Sequence, residues 1–201
     1  KGEPEARGFG TEKVEEELQR IFPAARIARL DRDTAASERR YRQIVADFER
    51  GETDILVGTQ MIAKGFDFPR VVLVGVLNAD NLLNYPDFRA SERAFQLMTQ
   101  VAGRAGRGRT PGEVVIQTSQ PQHPVIRQVM DGDYEGMVRS QLAERRSFFY
   151  PPYCRLVAIT LRHRDKAVLW RAASRFGEVC RPVFGRRLLG PEAPPVDRVR
   201  E

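Results

Sequence analysis

"TDILVGTQMIAKGFDFPRVVLVGVL", residues 53–77, sets two continuous apolar runs on either side of a polar, glycine-containing stretch. The runs 53–59 and 70–77 are rich in Val, Ile and Leu and lack the alternation of a half-solvated strand, a pattern typical of parallel strands covered on both faces. Working outward, "ARIARLD" (25–31) and "GEVVIQT" (112–118) read as two further strands. Helical spacing fills the intervals. Val14, Leu18 and Ile21 repeat from Thr11 to a stop at Pro23, Tyr41, Ile44, Val45 and Phe48 share one face of 37–50, and a third helix covers 90–105. Strand and helix in alternation imply βαβ units, so residues 10–120 are expected to form an α/β domain on a doubly covered parallel sheet. Residues 1–9 form a polar, Gly-rich lead-in.

Ligands of open α/β sheets bind beyond the carboxyl ends of the strands, which draws attention to the residues after "DILVG". Thr59 and Gln60 offer a hydroxyl and an amide for phosphate oxygens, the type of contact that positions a nucleic-acid backbone without reading its sequence. Lys64 adds a cation, Gly65 permits close backbone approach, and Asp67 can accept from a ribose hydroxyl. An ordinary βα loop, with its Gly and Asp serving the turn, is the plainer reading.

A second cluster, "QVAGRAGRGR" (100–109), ends the helical stretch 90–105. Arg104 and Arg107 are three apart, one helical turn, with Ala102, Gly103, Ala105 and Gly106 leaving room for a bulky anion. Forked guanidinium groups suit a polyphosphate, although arginine-glycine runs also occur as solvated loops.

The 201 residues are 41% apolar and 30% charged, enough for one large or two small domains with a core. A formal net charge of +6 permits a nucleic-acid or phosphorylated partner without demanding one. Cys154 and Cys180 fit no metal spacing and are expected to be reduced thiols of a cytosolic protein. His123 and His163 stand apart from any nucleophile or ligand set and read as structural or surface residues. No apolar run approaches the ~18 residues of a membrane-spanning helix.

Taken together, these motifs resemble a known family. "ILVGTQMIAKGFDFPRVVLVGVLNAD" is similar to motif V of superfamily 2 helicases, and "QVAGRAGRG" to motif VI. The stretches GTEKVEEEL, TQMIAKG, PDFRASERAFQLMTQVAGRAGR, PGEVVIQT and AERRSFFYPPY resemble the C-terminal part of the primosomal replication-restart helicases, the PriA family. The resemblance implies a RecA-like helicase lobe lacking its own P-loop over residues 1–120, a helical connector over 121–150, and over 151–201 an incomplete α+β domain similar to the S10 type, which binds branched DNA. It implies that Arg107 is the finger reaching the ATP γ-phosphate and that Arg104 contacts phosphates or holds the interlobe network. Gln100 and Gly103 fall with them on the nucleotide side of motif VI, as do Gly65 and Asp67 of motif V. Thr59, Gln60 and Lys64 match the strand-contacting positions.

The parent activity so implied is that of a monomeric bacterial, cytoplasmic, ATP- and Mg²⁺-dependent 3′-to-5′ DNA helicase. It would act on single-stranded and fork-like DNA with other primosome proteins and single-stranded DNA-binding protein. Another branched-DNA translocase of the fork-regression type, or a non-catalytic binding module, are the alternatives. No G-x-x-x-x-G-K-[ST] sequence and no recognisable acidic Mg²⁺ motif occur in the chain, and no cysteine represents the family's zinc module. The expectation is therefore a fragment, a second motor lobe inactive alone, with no metal site of its own.

Beyond Pro121, helices are expected over 123–130 and 133–147. An extended, stiff joint is expected at "FFYPPYCR" (148–155), its aromatics serving either as platforms for bases or as an apolar hinge. A half-exposed strand is expected over 155–164, and then a helix over 165–184 with Val168, Leu169, Ala172, Phe176 and Val179 inward. A last strand is expected to begin at 186. Arg155, Arg162, Arg164, Arg186 and Arg187 would lie on a DNA-binding surface or on a solvated face.

Overall fold

The computed structural model describes residues 10–31, 34, 37–59, 68–106 and 111–193. The chain divides into two compact units, 1–144 and 145–201. Unit one follows the βα alternation. α1 (Thr11–Ile21) leads to β1 (Ile27–Leu30), α2 (Glu38–Arg50) to β2 (Ile55–Gly58), then come β3 (Leu73–Val76), α3 (Asp80–Leu83), α4 (Ala90–Ala102) and β4 (Glu113–Ile116). α5 (Pro124–Asp131) and α6 (Tyr134–Ser147) complete the series.

The boundaries have local causes. Ser37 Oγ accepts from the amide of Arg40 and opens α2, and Gly51, at φ 77°, closes it in the left-handed conformation. Pro124 sits in the first turn of α5, whose cap is His123, accepting the Val125 amide on Nδ1. The imidazole expected to be structural is a helix cap.

All observed strand pairs are parallel, but they form two two-stranded sheets, β1–β2 and β3–β4, instead of one continuous ladder. Around β1–β2, Leu30, Val45 and Phe68 are buried with Tyr41, Ile44, Phe48, Leu56 and Val71 against them. Phe48 and Phe68 meet edge to face at 4.9 Å between centroids. Around β3–β4 the core is Ala79, Leu83, Ala94, Phe95, Met98, Val125, Ile126 and Met137, so α5 and α6 complete the core of the α/β unit.

The expected double cover holds only in part. Val76 and Ile116 of β3–β4 turn toward that core, whereas Leu73 (58% exposed) and Val115 (51%) lie on a face that no described element packs. An apolar run shows that both faces of a strand are apolar; it does not show that both are covered.

The second unit departs further from expectation. No strand forms over 155–164 or from 186 among the described residues; a 3-10 turn occupies Gly185–Arg187. A strand needs a partner for its backbone groups, and alternation of side chains supplies none. The joint at 148–155 is folded instead of extended. Tyr150 N–H donates to Arg145 O at 2.8 Å, and Tyr153 N–H to Tyr150 O at 3.0 Å. α7 (Lys166–Phe184) forms as expected, capped by Asp165, but its inward stripe differs. Val168 and Leu169 are half-buried and Gly177 is buried against Pro191, while Ala172, Phe176 and Val179 are exposed.

The β3–β4 core is centred on Met98, which has no exposed surface. Met98→Ala is expected to lower the unfolding free energy by about 2–5 kcal/mol in urea titration, the cost of a large-to-small change that leaves a cavity.

Candidate nucleotide and nucleic-acid site

Thr59 follows Gly58 at the carboxyl end of β2 and is exposed. Because β1 and β2 run parallel with Leu30 opposite Gly58, the residues leaving β1 share that edge. Its geometry is fixed by Asp31, 6% exposed, whose carboxylate accepts from Thr11 Oγ1 at 2.6 Å, Thr34 N at 2.9 Å and Thr34 Oγ1 at 3.0 Å. Arg29 lies 3.3 Å from Asp31 and 3.4 Å from Glu15 of α1. Burial pushes the Asp31 carboxyl up, but the Thr11 and Thr34 hydrogen bonds and the Arg29 charge outweigh it and hold the group at about 2. The network ties the start of α1 to the end of β1 beside Thr59. At the opposite end of β1 and β2, Arg26 grips Asp54 through a bidentate pair at 2.6 and 2.9 Å, and its backbone amide donates to the same carboxylate.

The arginine-rich cluster is built differently. α4 ends at Ala102, leaving Gln100 and Gly103 exposed, and the next residue, Arg104, is buried at 9% exposure. Gly106 adopts φ 73°, a left-handed conformation that favours glycine. Its amide donates to Val71 O at 3.0 Å, and on the return path Glu113 N–H donates to Val72 O at 2.8 Å. The segment before β3 thus receives both limbs of the chain around 107–110.

The structure therefore brings the ends of the two motifs together. Val71 follows Asp67 by four positions, and Gly106 immediately precedes Arg107. Gln60, Lys64, Gly65, Asp67 and Arg107 themselves lie outside the described residues.

Thr59 does lie beyond the carboxyl end of a strand, but the joint between the motifs sits at the amino ends of β3 and β4. The crossover helix returns the chain to where its next parallel strand begins, so α4 must finish near the amino end of β4.

Residues 9–109 match the helicase conserved C-terminal domain. The chain belongs to that family. Among the curated relatives similar to this helicase C-terminal domain chain is replication restart protein PriA of Bacillus subtilis, 44% identical over 196 residues, 96% of the chain and 24% of the relative. PriA of Synechocystis is 40% identical over 196 residues, with 96% and 24% covered. PriA of Treponema pallidum is 45% identical over 188 residues, with 92% and 28% covered. The chain spans about a quarter of the length of these relatives. The resemblance to the primosomal replication-restart family and the RecA-like α/β reading of its lobe are upheld. Among the described residues of this helicase domain no cluster of three His, Cys, Asp or Glu side chains could hold a metal ion, and no helix is long and apolar enough to cross a membrane.

Two features escaped the sequence reading. α3 follows Asn78, at φ 51°, and Asp80 accepts from Thr118 Oγ1 at 2.6 Å and Ser119 N at 2.9 Å, joining the exits of β3 and β4. Those contacts hold the Asp80 carboxyl below its ordinary range. The other is Gly112, whose only sequence signal is a Pro-Gly turn pair.

Because folding lowers the Asp31 pKa, the unfolded chain binds more protons between about pH 4 and pH 2. The contribution of Asp31 is complete above pH 4 and is lost as pH falls through that window. Asp31→Asn is expected to destabilise the domain by about 1–3 kcal/mol at pH 7 and to flatten the acid limb, as read by urea unfolding at several pH values.

Proposed function

We propose that this chain is the second motor lobe, with the segment C-terminal to it, of an ATP-dependent 3′-to-5′ DNA helicase that recognises stalled or branched replication forks and restarts replication through primosome assembly. The observation that carries the reading is the backbone hydrogen bond from Gly106 to Val71, at 3.0 Å, between the chain beside Arg107 and the chain after Asp67. The similarity to PriA proteins over nearly the whole chain supports it from the side of sequence.

In this reading Arg107 is the finger and Asp67 and Gly65 present the motif V side of the same crevice. The exposed positions of Gln100 and Gly103 suit contact with nucleotide. Buried Arg104 suits the second of its two implied roles, holding the interlobe network, better than direct phosphate contact. Bound between two lobes, ATP with Mg²⁺ would supply the phosphoryl transfer that drives the motor. A finger guanidinium neutralises charge developing on the transferred group and is worth about 10³–10⁵ in rate.

Thr59, at the edge fixed by Asp31, binds the backbone of the translocating strand together with Gln60 and Lys64. With the phosphate-cradling loop and its lysine supplied by another lobe, the chain alone turns over no ATP and unwinds no DNA. The parent protein works as a monomer in the bacterial cytoplasm, alongside primosome proteins and single-stranded DNA-binding protein, and any zinc belongs to a module outside this chain.

Arg107→Ala in the full-length helicase is expected to lower DNA-stimulated ATP hydrolysis by about 10³-fold or more while DNA affinity stays essentially unchanged. Near-normal turnover would remove the finger assignment.

A further inference from the structure

Residues 145–164 carry five arginines and no Asp or Glu. Arg146, Arg155, Arg162 and Arg164 are exposed, and none of the four is held by an ion pair among the described residues. Two phenylalanines stand in solvent at the head of this stretch, Phe148 at 66% and Phe149 at 75% exposure. Phe149 also sits at φ 55°, a left-handed conformation that a bulky side chain adopts only under constraint. The constraint is the turn that follows α6. Tyr150 N–H donates to Arg145 O at 2.8 Å, and the Cys154 thiol donates to Phe149 O. A strained backbone persists where the surrounding structure over-determines it, and such positions cluster at sites that bind. Here the strain does not serve packing, because the ring it carries is in water.

Resting on the DNA-helicase reading above, we propose that Phe148 and Phe149 form a stacking platform for unpaired bases of single-stranded DNA, with Arg146 and Arg155 taking phosphates on either side. The turn supplies the arrangement. It brings Phe149 N to 3.5 Å from Arg146 O and Cys154 beside Phe149 O, so the chain bearing each arginine passes next to the Phe149 backbone. Every base has a π-face that stacks on an aromatic ring, and guanidinium groups alongside neutralise the phosphates that carry the bases. That combination holds a single strand without reading its sequence. An apolar protein surface docking on the same rings would bury positive charge without answering it, whereas a polyphosphate chain answers it directly.

The test is equilibrium binding of the full-length helicase, without nucleotide, to a labelled oligothymidylate of about 15 nucleotides and to an abasic strand of the same length. Phe149→Gly, Phe149→Leu and Phe149→Trp are compared with wild type, and Arg146→Gln is titrated with salt. Phe149→Gly and Phe149→Leu are each expected to weaken oligothymidylate binding by about 5-fold or more, while Phe149→Trp holds wild-type affinity. The abasic strand is expected to bind wild type and Phe149→Gly equally. Arg146→Gln is expected to lower the slope of log affinity against log salt by about 0.7, the share of one single-strand phosphate contact. Because glycine relieves the left-handed conformation and the lost ring is exposed, Phe149→Gly is expected to melt at or above the wild-type temperature. Unchanged oligothymidylate binding in Phe149→Gly, an equal loss on the abasic strand, full affinity in Phe149→Leu or early melting of Phe149→Gly would each overturn the platform. The last two would mark the rings as an apolar contact between parts of the protein. A wild-type helicase that binds neither strand would instead remove the DNA-helicase reading on which the proposal rests, so the two failures are distinguishable.

Discussion

A single crossing of backbone on backbone organises the α/β unit. Gly106 and Gly112 approach so closely that neither tolerates a Cβ, and the carbonyls of Val71 and Val72 hold the two limbs by hydrogen bonds of 3.0 and 2.8 Å. Val71 also packs against the core of β1–β2, while Glu113 opens β4, whose Ile116 packs against the other core. The crossing therefore links the two cores as well as the two motifs. Side chains could not substitute for it. Glycine is the only residue that lets two chain segments meet at this distance, and backbone hydrogen bonds in such a joint leave no rotamers to order.

The two ends of the βα units serve different ends of the proposed mechanism. Thr59 stands at the carboxyl end of β2, on an edge fixed by the buried Asp31 and its threonine donors. The motif joint stands at the amino ends of β3 and β4.

Much of this fold was legible because unit one obeys local rules. Val, Ile and Leu runs marked β2 and β3, helical periodicity marked the first helices, and Pro23 marked the end of α1. What was not legible depended on partners far away in sequence. Leu73 and Val115 read as covered because apolarity carries no record of what packs against it. "RLVAITLRHR" alternates as a strand does, yet it stays unpaired because a ladder requires a neighbour that alternation cannot provide. The prolines between Phe148 and Cys154 read as an extended joint, and hydrogen bonds at Tyr150 and Tyr153 show a turn in its place. Of the candidate site, the sequence shows the spacing of Arg104 and Arg107, and the structure describes only Arg104, as a buried side chain. Gly112 carried no such signal, since its importance lies in residues 105 and 106 on the other limb.

The chain beside Arg107 is bound to the chain after Asp67, and amide hydrogen exchange tests that bond at one atom. The Gly106 amide, donated to Val71 O, is expected to be protected to the level of the Glu113 amide donated to Val72 O, because both open only when the joint opens. Exchange of Gly106 at the rate of a free loop amide, with Glu113 protected, would contradict it and leave the two motifs unconnected.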